Sequence, residues 1–430
     1  MDSSAAQSRR IYYGWIIVGV GLISMAFWLG IRASFSVFYV ALLEEFPWNR
    51  GGSAGVQSMA LITYTILAPL AGGLIDRFGP RRVIVPGILI LALGLACCAT
   101  IDSLLQFYLL YGVFMGTGIT AIGIVSYSAI LAHWFDKKRG LASGIAVSGM
   151  GLGTFVLVPL SQSFISMWGW RTTFVVTGVL VIIILLPLNA IFMRHKPEEL
   201  GLFPDGVAGA DREENIGSKS TVQQGPGTEW TLQEVFRSGR FWALIAFSFL
   251  SIIGIYLILV HNVKFMVDQG ISKMTAAFVF AMVGVISSIF RVFWGWLSDR
   301  IGREITFTMG ISCGCIGVLS LLLIEVTGKN EFAYGYSLFF GMGWGVTAPM
   351  YMAVSADLFK GKVFGLIYGM VEAGIGLAGA IGAWVAGFIF DRTQSYFWAF
   401  ILVIVVLLVS SLFVWLAAPR KSRMKSSVRV

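Results

Sequence analysis

The sequence predicts an all-α membrane protein with 12 spanning helices in two similar six-helix halves. Three observations carry that prediction: long unbroken apolar blocks, one short charged signal that occurs twice, and a lopsided distribution of basic residues. The first copy of the signal is Gly72-Gly73-Leu74-Ile75-Asp76-Arg77-Phe78-Gly79-Pro80-Arg81-Arg82, and the second is Gly295-Trp296-Leu297-Ser298-Asp299-Arg300-Ile301-Gly302-Arg303. Each closes an apolar run of roughly 20 residues and opens another, the length that crosses a hydrocarbon core as a helix. A charged hairpin at the same place in two halves indicates an internal repeat.

Composition agrees. Of 430 residues, 57% are hydrophobic and 12% charged, and the mean hydropathy is +0.82. A soluble domain carries about 25% charged residues. In lipid the backbone must satisfy its own hydrogen bonds, so only helices or a closed barrel can span. Blocks this long, without alternation, exclude the barrel.

The expected helices are 13–39, 52–75, 83–100, 105–132, 140–165, 170–193, 240–264, 274–297, 304–325, 332–355, 361–388 and 396–417. The polar, glycine-rich stretch 194–239 reads as a cytoplasmic linker between a half at 1–193 and a half at 240–430. No A-x-A-like cleavage site follows the first apolar run, so the N-terminus is expected to be retained. Cys97, Cys98, Cys313 and Cys315 lie inside apolar runs and read as small buried hydrophobes.

With the N-terminus inside, 23 of the 31 lysines and arginines fall on cytoplasmic segments and six on outer loops, including Arg50, Lys264 and Lys273. That bias places both termini in the cytoplasm and requires an even number of helices. Short loops without an N-x-[ST] site suggest a bacterial inner membrane. The net charge of +9 forms no basic stripe with interleaved aromatics, so nucleic acid is not an expected partner.

The repeated G-x-x-x-D-R-x-G-x-R hairpin resembles the signature of the major facilitator superfamily. His133-Trp134-Phe135-Asp136-Lys137-Lys138-Arg139-Gly140, and the residues to Gly149, resemble the helix 4–5 junction of its monocarboxylate transporters. Trp168-Gly169-Trp170-Arg171-Thr172-Thr173-Phe174 resembles the start of their helix 6. Phe390-Asp391-Arg392-Thr393-Gln394-Ser395-Tyr396 is similar to their D-x-T-G-S-Y, with Gln394 replacing the glycine. The resemblance extends to bacterial oxalate/formate-type relatives.

Charges inside the membrane are the first candidates for function, since each costs about 2.5–3.5 kcal/mol at a helix centre. Only Arg32, Arg291 and Glu372 lie well inside the expected helices. Arg291 sits about 12 Å of helix rise from Asp299. Its guanidinium is a permanent charge with a fork of donors that fits a carboxylate. The resemblance implies that Arg291 binds substrate carboxylate; the other reading is a static ion pair with Glu372. Arg32 stands where the transporters carry a lysine, which implies a place on the substrate path; snorkelling to the outer interface is the alternative. Glu372, a carboxyl in apolar surroundings, is the candidate proton carrier or else a structural partner of Arg291. Ser287 occupies the position of the transporters' helix 8 aspartate.

His261 ends helix 7 and has the chemistry of a proton relay or of an ordinary hydrogen-bonded residue. Tyr127, Tyr351 and Tyr368 shape the cavity or bond helix to helix, and the first two lie on helices that the resemblance assigns to the central path. Asp76, Arg77, Asp299 and Arg300 are expected to latch the cytoplasmic ends in an outward-open state. Glycines recur along helices 5 and 11, as expected where two halves rock against each other.

The reading is a carrier of a small monocarboxylate, lactate or pyruvate in kind, coupled to a proton by alternating access. It needs no cofactor or metal and no obligatory protein partner; its partners are the anion, the proton and the bilayer. The nearest alternative is an oxalate/formate-type anion exchanger, and one of another class is a non-transporting solute sensor. No metal-ligand cluster, nucleophile elbow or P-loop points to an enzyme.

Overall fold

The computed structural model describes residues 12–135, 139–206, 231–359 and 364–417. Among them the regular structure is entirely helical. α1 is Tyr13–Glu45, α2 Arg50–Phe78 and α3 Pro80–Cys98. α4 is broken: Leu104–Phe107, the π-helical Tyr108–Met115 and Gly116–Ala121 form its first part, and Ile124–Trp134 its second. The helix Arg139–Leu180 turns at Gly169 (φ 77°), which separates α5 from α6. α6 continues through π-helical Val181–Leu185 into Leu186–Phe192. In the second half, α7 is Gly239–Asp268, α8 Lys273–Ile301, α9 Arg303–Thr327, α10 Phe332–Leu358, α11 Phe364–Thr393 and α12 Phe397–Ala417.

Ten helical stretches among the described residues are long and apolar enough to cross a membrane. One of them, Leu141–Phe192, has 52 residues and folds back at Gly169, so it crosses twice. With α10 the chain makes 12 crossings. Several helices overrun the expected ends: α1 reaches Glu45 instead of 39 and α7 reaches Asp268 instead of 264. The hydrogen-bonded backbone continues past the apolar core because nothing at those positions stops it. Helix 4, expected to be continuous, is interrupted at Ile122 and Gly123.

The two hairpins are built alike. α2 gives way to α3 at Gly79 (φ 83°), and α8 gives way to α9 at Gly302 (φ 101°), a conformation that disfavours any Cβ. Pro80 opens α3, where its missing N–H costs nothing. Most of the linker, 207–230, the basic termini and Lys137, Lys138, Lys360 and Lys362 lie outside the described residues.

α2 packs on α11, α5 on α8, and α1 on α7, and these pairs join the two halves. Gly151 of α5 and Gly376 of α11 are points of closest approach. An added Cβ would lie 2.0 Å from Ser288 Oγ of α8 and 1.8 Å from Thr65 Oγ1 of α2, respectively. Seven residues away on the same helix faces, at Gly144, Gly295 and Gly369, a Cβ would meet nothing within 4 Å. Both helix pairs therefore touch near mid-membrane and part within about 10 Å toward the hairpins. At the opposite end, residues of the two halves meet, so among the described residues the cleft between these helix pairs widens toward the hairpins.

Candidate functional site

Arg291 and Glu372 sit at the apex of that cleft. Arg291 lies one turn beyond Ser288 on α8, and Glu372 one turn beyond Gly376 on α11, each on the open side of its helix contact. The two do not form an ion pair, and no carboxylate among the described residues comes within 4.0 Å of Arg291. The Arg291 guanidinium instead stands 5.7 Å from the Trp344 ring centre, with Nη1 3.7 Å from Met150 Sδ. Its Nε is buried with no hydrogen-bond partner. A buried donor left open costs free energy, and a planar anion is the group that would satisfy it bidentately.

Glu372 is half-buried. Its carboxyl is within hydrogen-bonding reach of the Tyr368 hydroxyl and in electrostatic range of Tyr64 and Tyr351. Tyr351 itself shares a 2.6 Å hydrogen bond with Ser251 Oγ. These tyrosines bring α2, α10 and α11 to one carboxyl, and Ser251 joins α7 to them through Tyr351.

Arg32 is 8% exposed, so it does not snorkel. It lies over Trp28 (4.5 Å) and Tyr64 (5.4 Å), and its Nη2 donates to Tyr256 Oη at 3.3 Å. With Gln57, Tyr256 and Trp344 it lines a cavity of about 30 Å³, room for about one water. Trp344 thus has Arg32 on its cavity side and Arg291 above its ring.

Other expected site residues lie elsewhere. Tyr127, 2% exposed, bonds Ser24 Oγ (2.6 Å) and Asn189 Oδ1 (2.7 Å), tying α1, α4 and α6 together inside the first half. His261 is not at an interface but completely buried. Its Nε2–H donates to the Ala383 carbonyl (2.9 Å), and its Nδ1 meets Tyr396 Oη (3.1 Å) and Tyr39 Oη (3.4 Å). Asp299 is paired with Arg303 inside its own half at 2.8 Å, and Arg303 also reaches Asp357. Arg300 lies over Trp296 and Arg77 over Phe78. The Asp76 side chain lies outside the described residues.

One feature had no counterpart in the expected site, a set of contacts that shuts the end opposite the hairpins. Asp391 of α11 accepts from the backbone N–H of Arg50 (2.9 Å) and Gly51 (2.8 Å), the first turn of α2. Arg50 pairs with Asp268 (2.6 Å), donates to Tyr396 (3.0 Å) and covers the Phe390 ring. Lys273 of α8 bonds Glu44 of α1 at 2.5 Å. All of these cross between halves. In the sequence Arg50 read as a charge of an outer loop and Asp391 as the first residue of the motif before helix 12, with no link between them.

Twelve helices in two halves, with ionisable groups inside the membrane where the halves meet, are the architecture of a membrane transporter rather than an enzyme. The chain belongs to the Major Facilitator Superfamily, whose profile matches residues 16–367. It is similar to Monocarboxylate transporter 13 of Bos taurus, 26% identical over 401 residues, covering 93% of this chain and 88% of that protein. Monocarboxylate transporter 4 of Rattus norvegicus is 25% identical over 404 residues, 93% of this chain and 82% of that one. The fold matches the crystal structure of a D-xylose-proton symporter with a TM-score of 0.72 at 18% identity, over 94% of this chain and 97% of the other. An inward-facing, occupied bacterial homologue of the human lysosomal transporter Spinster matches with a TM-score of 0.70 at 15% identity, over 96% and 98%.

Proposed function

We propose that this chain carries a small monocarboxylate such as lactate or pyruvate together with a proton, by rocking of the halves 1–193 and 240–430 about the linker 194–239. The observation that supports this most is Arg291: a permanent cation at the apex of the cleft, in no ion pair among the described residues, with an open buried Nε donor. The monocarboxylate transporters to which the chain is similar point the same way. Arg291 anchors the carboxylate, Glu372 holds the proton with Tyr368 beside it, and Arg32 adds positive potential from the first half. Anion and proton together leave the net charge at the apex as it is in the empty carrier with Glu372 ionised, and the helices cross the barrier in those two states, whereas either ligand alone changes that charge. The basic bias supports an orientation with the hairpin end and both termini at the cytoplasmic face, and the short loops without an N-x-[ST] site support a bacterial inner membrane; on that orientation the state described here opens inward.

A second reading, exchange of organic anions without a proton, is favoured by Arg291 lying over the Trp344 ring and Arg32 lining a cavity with the same Trp344. Two uncompensated cations suit an anion with no accompanying proton.

The test is binding of labelled lactate to the purified protein and to Arg291→Lys and Arg291→Ala. Lysine keeps the charge and loses the fork. We expect Arg291→Lys to weaken binding at least tenfold and Arg291→Ala to abolish it. Equal binding by all three would remove Arg291 from the site.

A further inference from the structure

We propose that the short helix Leu232–Arg237, with the first turn of α7, is a docking surface for anionic phospholipid in the leaflet at the hairpin end. α8 runs to the second hairpin, so α7, which precedes it, begins at that same end. Gly239–Asp268 is long and apolar enough to cross a membrane, so residues 231–238 stand where the span meets the headgroups. Thr231 caps the short helix. Its Oγ1 accepts from the Glu234 amide (3.3 Å), and Glu234 Oε2 accepts from the Thr231 amide (2.9 Å). Ser238 (φ −79°, ψ 121°) is extended, so the short helix ends there and α7 starts on a new path.

The junction is fixed on its inner side. Val235 is fully buried, and the Phe236 and Phe241 rings meet at 5.4 Å. Trp242 Nε1 donates to the Phe236 carbonyl at 2.9 Å, which ties the first turn of α7 to the end of the short helix. The outer side is apolar and uncovered: Leu232 is 40%, Phe236 45% and Trp242 57% exposed. Leu232 and Phe236 are four residues apart on one helix, so they share a face. In water that face would be costly; the boundary between acyl chains and headgroups is the medium that covers it. Tryptophan is enriched at that depth.

Charge decides which lipid. Arg237 is exposed and Arg240 half-buried, and among the described residues no carboxylate pairs with either. Glu234, the one acid between 231 and 242, is turned back onto Thr231 at the first turn of its own helix. A guanidinium at headgroup level takes a phosphate through its fork of donors. Two arginines without carboxylate partners, next to three uncovered apolar side chains, fit a lipid whose phosphate charge no ammonium of its own cancels. The proposal concerns the membrane surface and stands whichever solute is carried.

The experiment uses the full-length protein in bilayer nanodiscs, with Cys97, Cys98, Cys313 and Cys315 replaced by serine and an environment-sensitive fluorophore on Leu232→Cys. The probe lipids are brominated phosphatidylglycerol and brominated phosphatidylcholine, each at the same mole fraction in plain phosphatidylcholine. Bromine quenches on contact, so the ratio of the two quenching efficiencies reads local enrichment. We expect both lipids to quench, with phosphatidylglycerol preferred by about fivefold for each arginine at the surface. In Arg237→Gln/Arg240→Gln the preference should fall toward one, and high salt should lower it in the protein with both arginines. Quenching by neither lipid would put Leu232 in water or under another part of the chain, and would overturn the docking. Equal quenching by the two lipids with both arginines present, or a preference that survives in the double variant, would overturn the anionic site. None of these outcomes depends on lactate binding at Arg291, so the two proposals fail separately.

Discussion

Gly151 on α5 meets Ser288 on α8 with no space for a side chain: a Cβ on Gly151 would lie 2.0 Å from Ser288 Oγ. That hydroxyl has no hydrogen-bond partner. The contact lies one turn from Arg291, so in the proposed mechanism the helices pivot against each other beside the substrate anchor. Gly151→Ala should therefore overpack the pivot, at a cost of about 1–3 kcal/mol, and slow transport. Ser288→Ala alone should change stability by less than about 0.5 kcal/mol, because it removes an unpaired hydroxyl. The double variant Gly151→Ala/Ser288→Gly should recover much of the loss. Thermal unfolding and initial uptake rates for the four proteins check this; no recovery in the double variant would mean that the strain lies elsewhere.

Asp391 clamps the first turn of α2 from across the molecule. Its two oxygens take the Arg50 and Gly51 amides, as an N-cap residue would in its own helix. Asp391→Ala should shift the population toward states open at that end, by roughly tenfold to a hundredfold for two charge-assisted bonds. A cysteine at Ser36, buried in this state, reports the shift through its labelling rate once Cys97, Cys98, Cys313 and Cys315 are replaced by serine. Equal labelling with and without Asp391 would show that the clamp does not hold this end closed.

Gln394 sits at φ 56°, in the left-handed region. Its amide donates to the Phe390 carbonyl at 2.7 Å, so the turn is held in spite of the Cβ. This is the position where the resembling motif has glycine. Gln394→Gly should stabilise the protein by about 0.5–1 kcal/mol, the relief of a left-handed non-glycine residue less the added freedom of the unfolded chain. A higher midpoint in thermal unfolding checks it; a lower one would mean that the Gln394 side chain, which donates to the Asp391 carbonyl, matters more than the strain.

His261 and Glu372 are separated by the same reasoning. Both ring nitrogens of His261 are engaged in the closed end, by Ala383, Tyr396 and Tyr39. We expect His261→Gln to lower stability by about 1–3 kcal/mol, the cost of disturbing a buried polar group, while uptake still responds to a proton gradient. Loss of that response would restore His261 to the proton path.

The fold was legible because apolar length and hairpin charges depend only on local sequence. The turn at Gly169 fell between the expected fifth and sixth helices, and Asp76 and Asp299 marked equivalent hairpins. The site was legible in depth but not in direction. Sequence placed Arg291 and Glu372 at mid-membrane, yet whether they faced each other depended on the rotation of α8 and α11, which no short-range pattern encodes. The clamp was invisible for a similar reason, since Asp391 and Arg50 are distant in sequence and nothing local links them. The break in α4 was missed because Ile122 and Gly123 interrupt an apolar run without changing its hydropathy.

The most direct measurement is the initial rate of labelled lactate uptake into proteoliposomes, with and without an inward proton gradient, for wild type and Glu372→Gln, together with lactate exchange at equal pH. Proton-coupled transport predicts gradient-stimulated uptake by wild type. Glu372→Gln should lose that stimulation and keep exchange. Uptake indifferent to the gradient, with an absolute need for anion inside, would contradict the proton-coupled account and leave an exchanger.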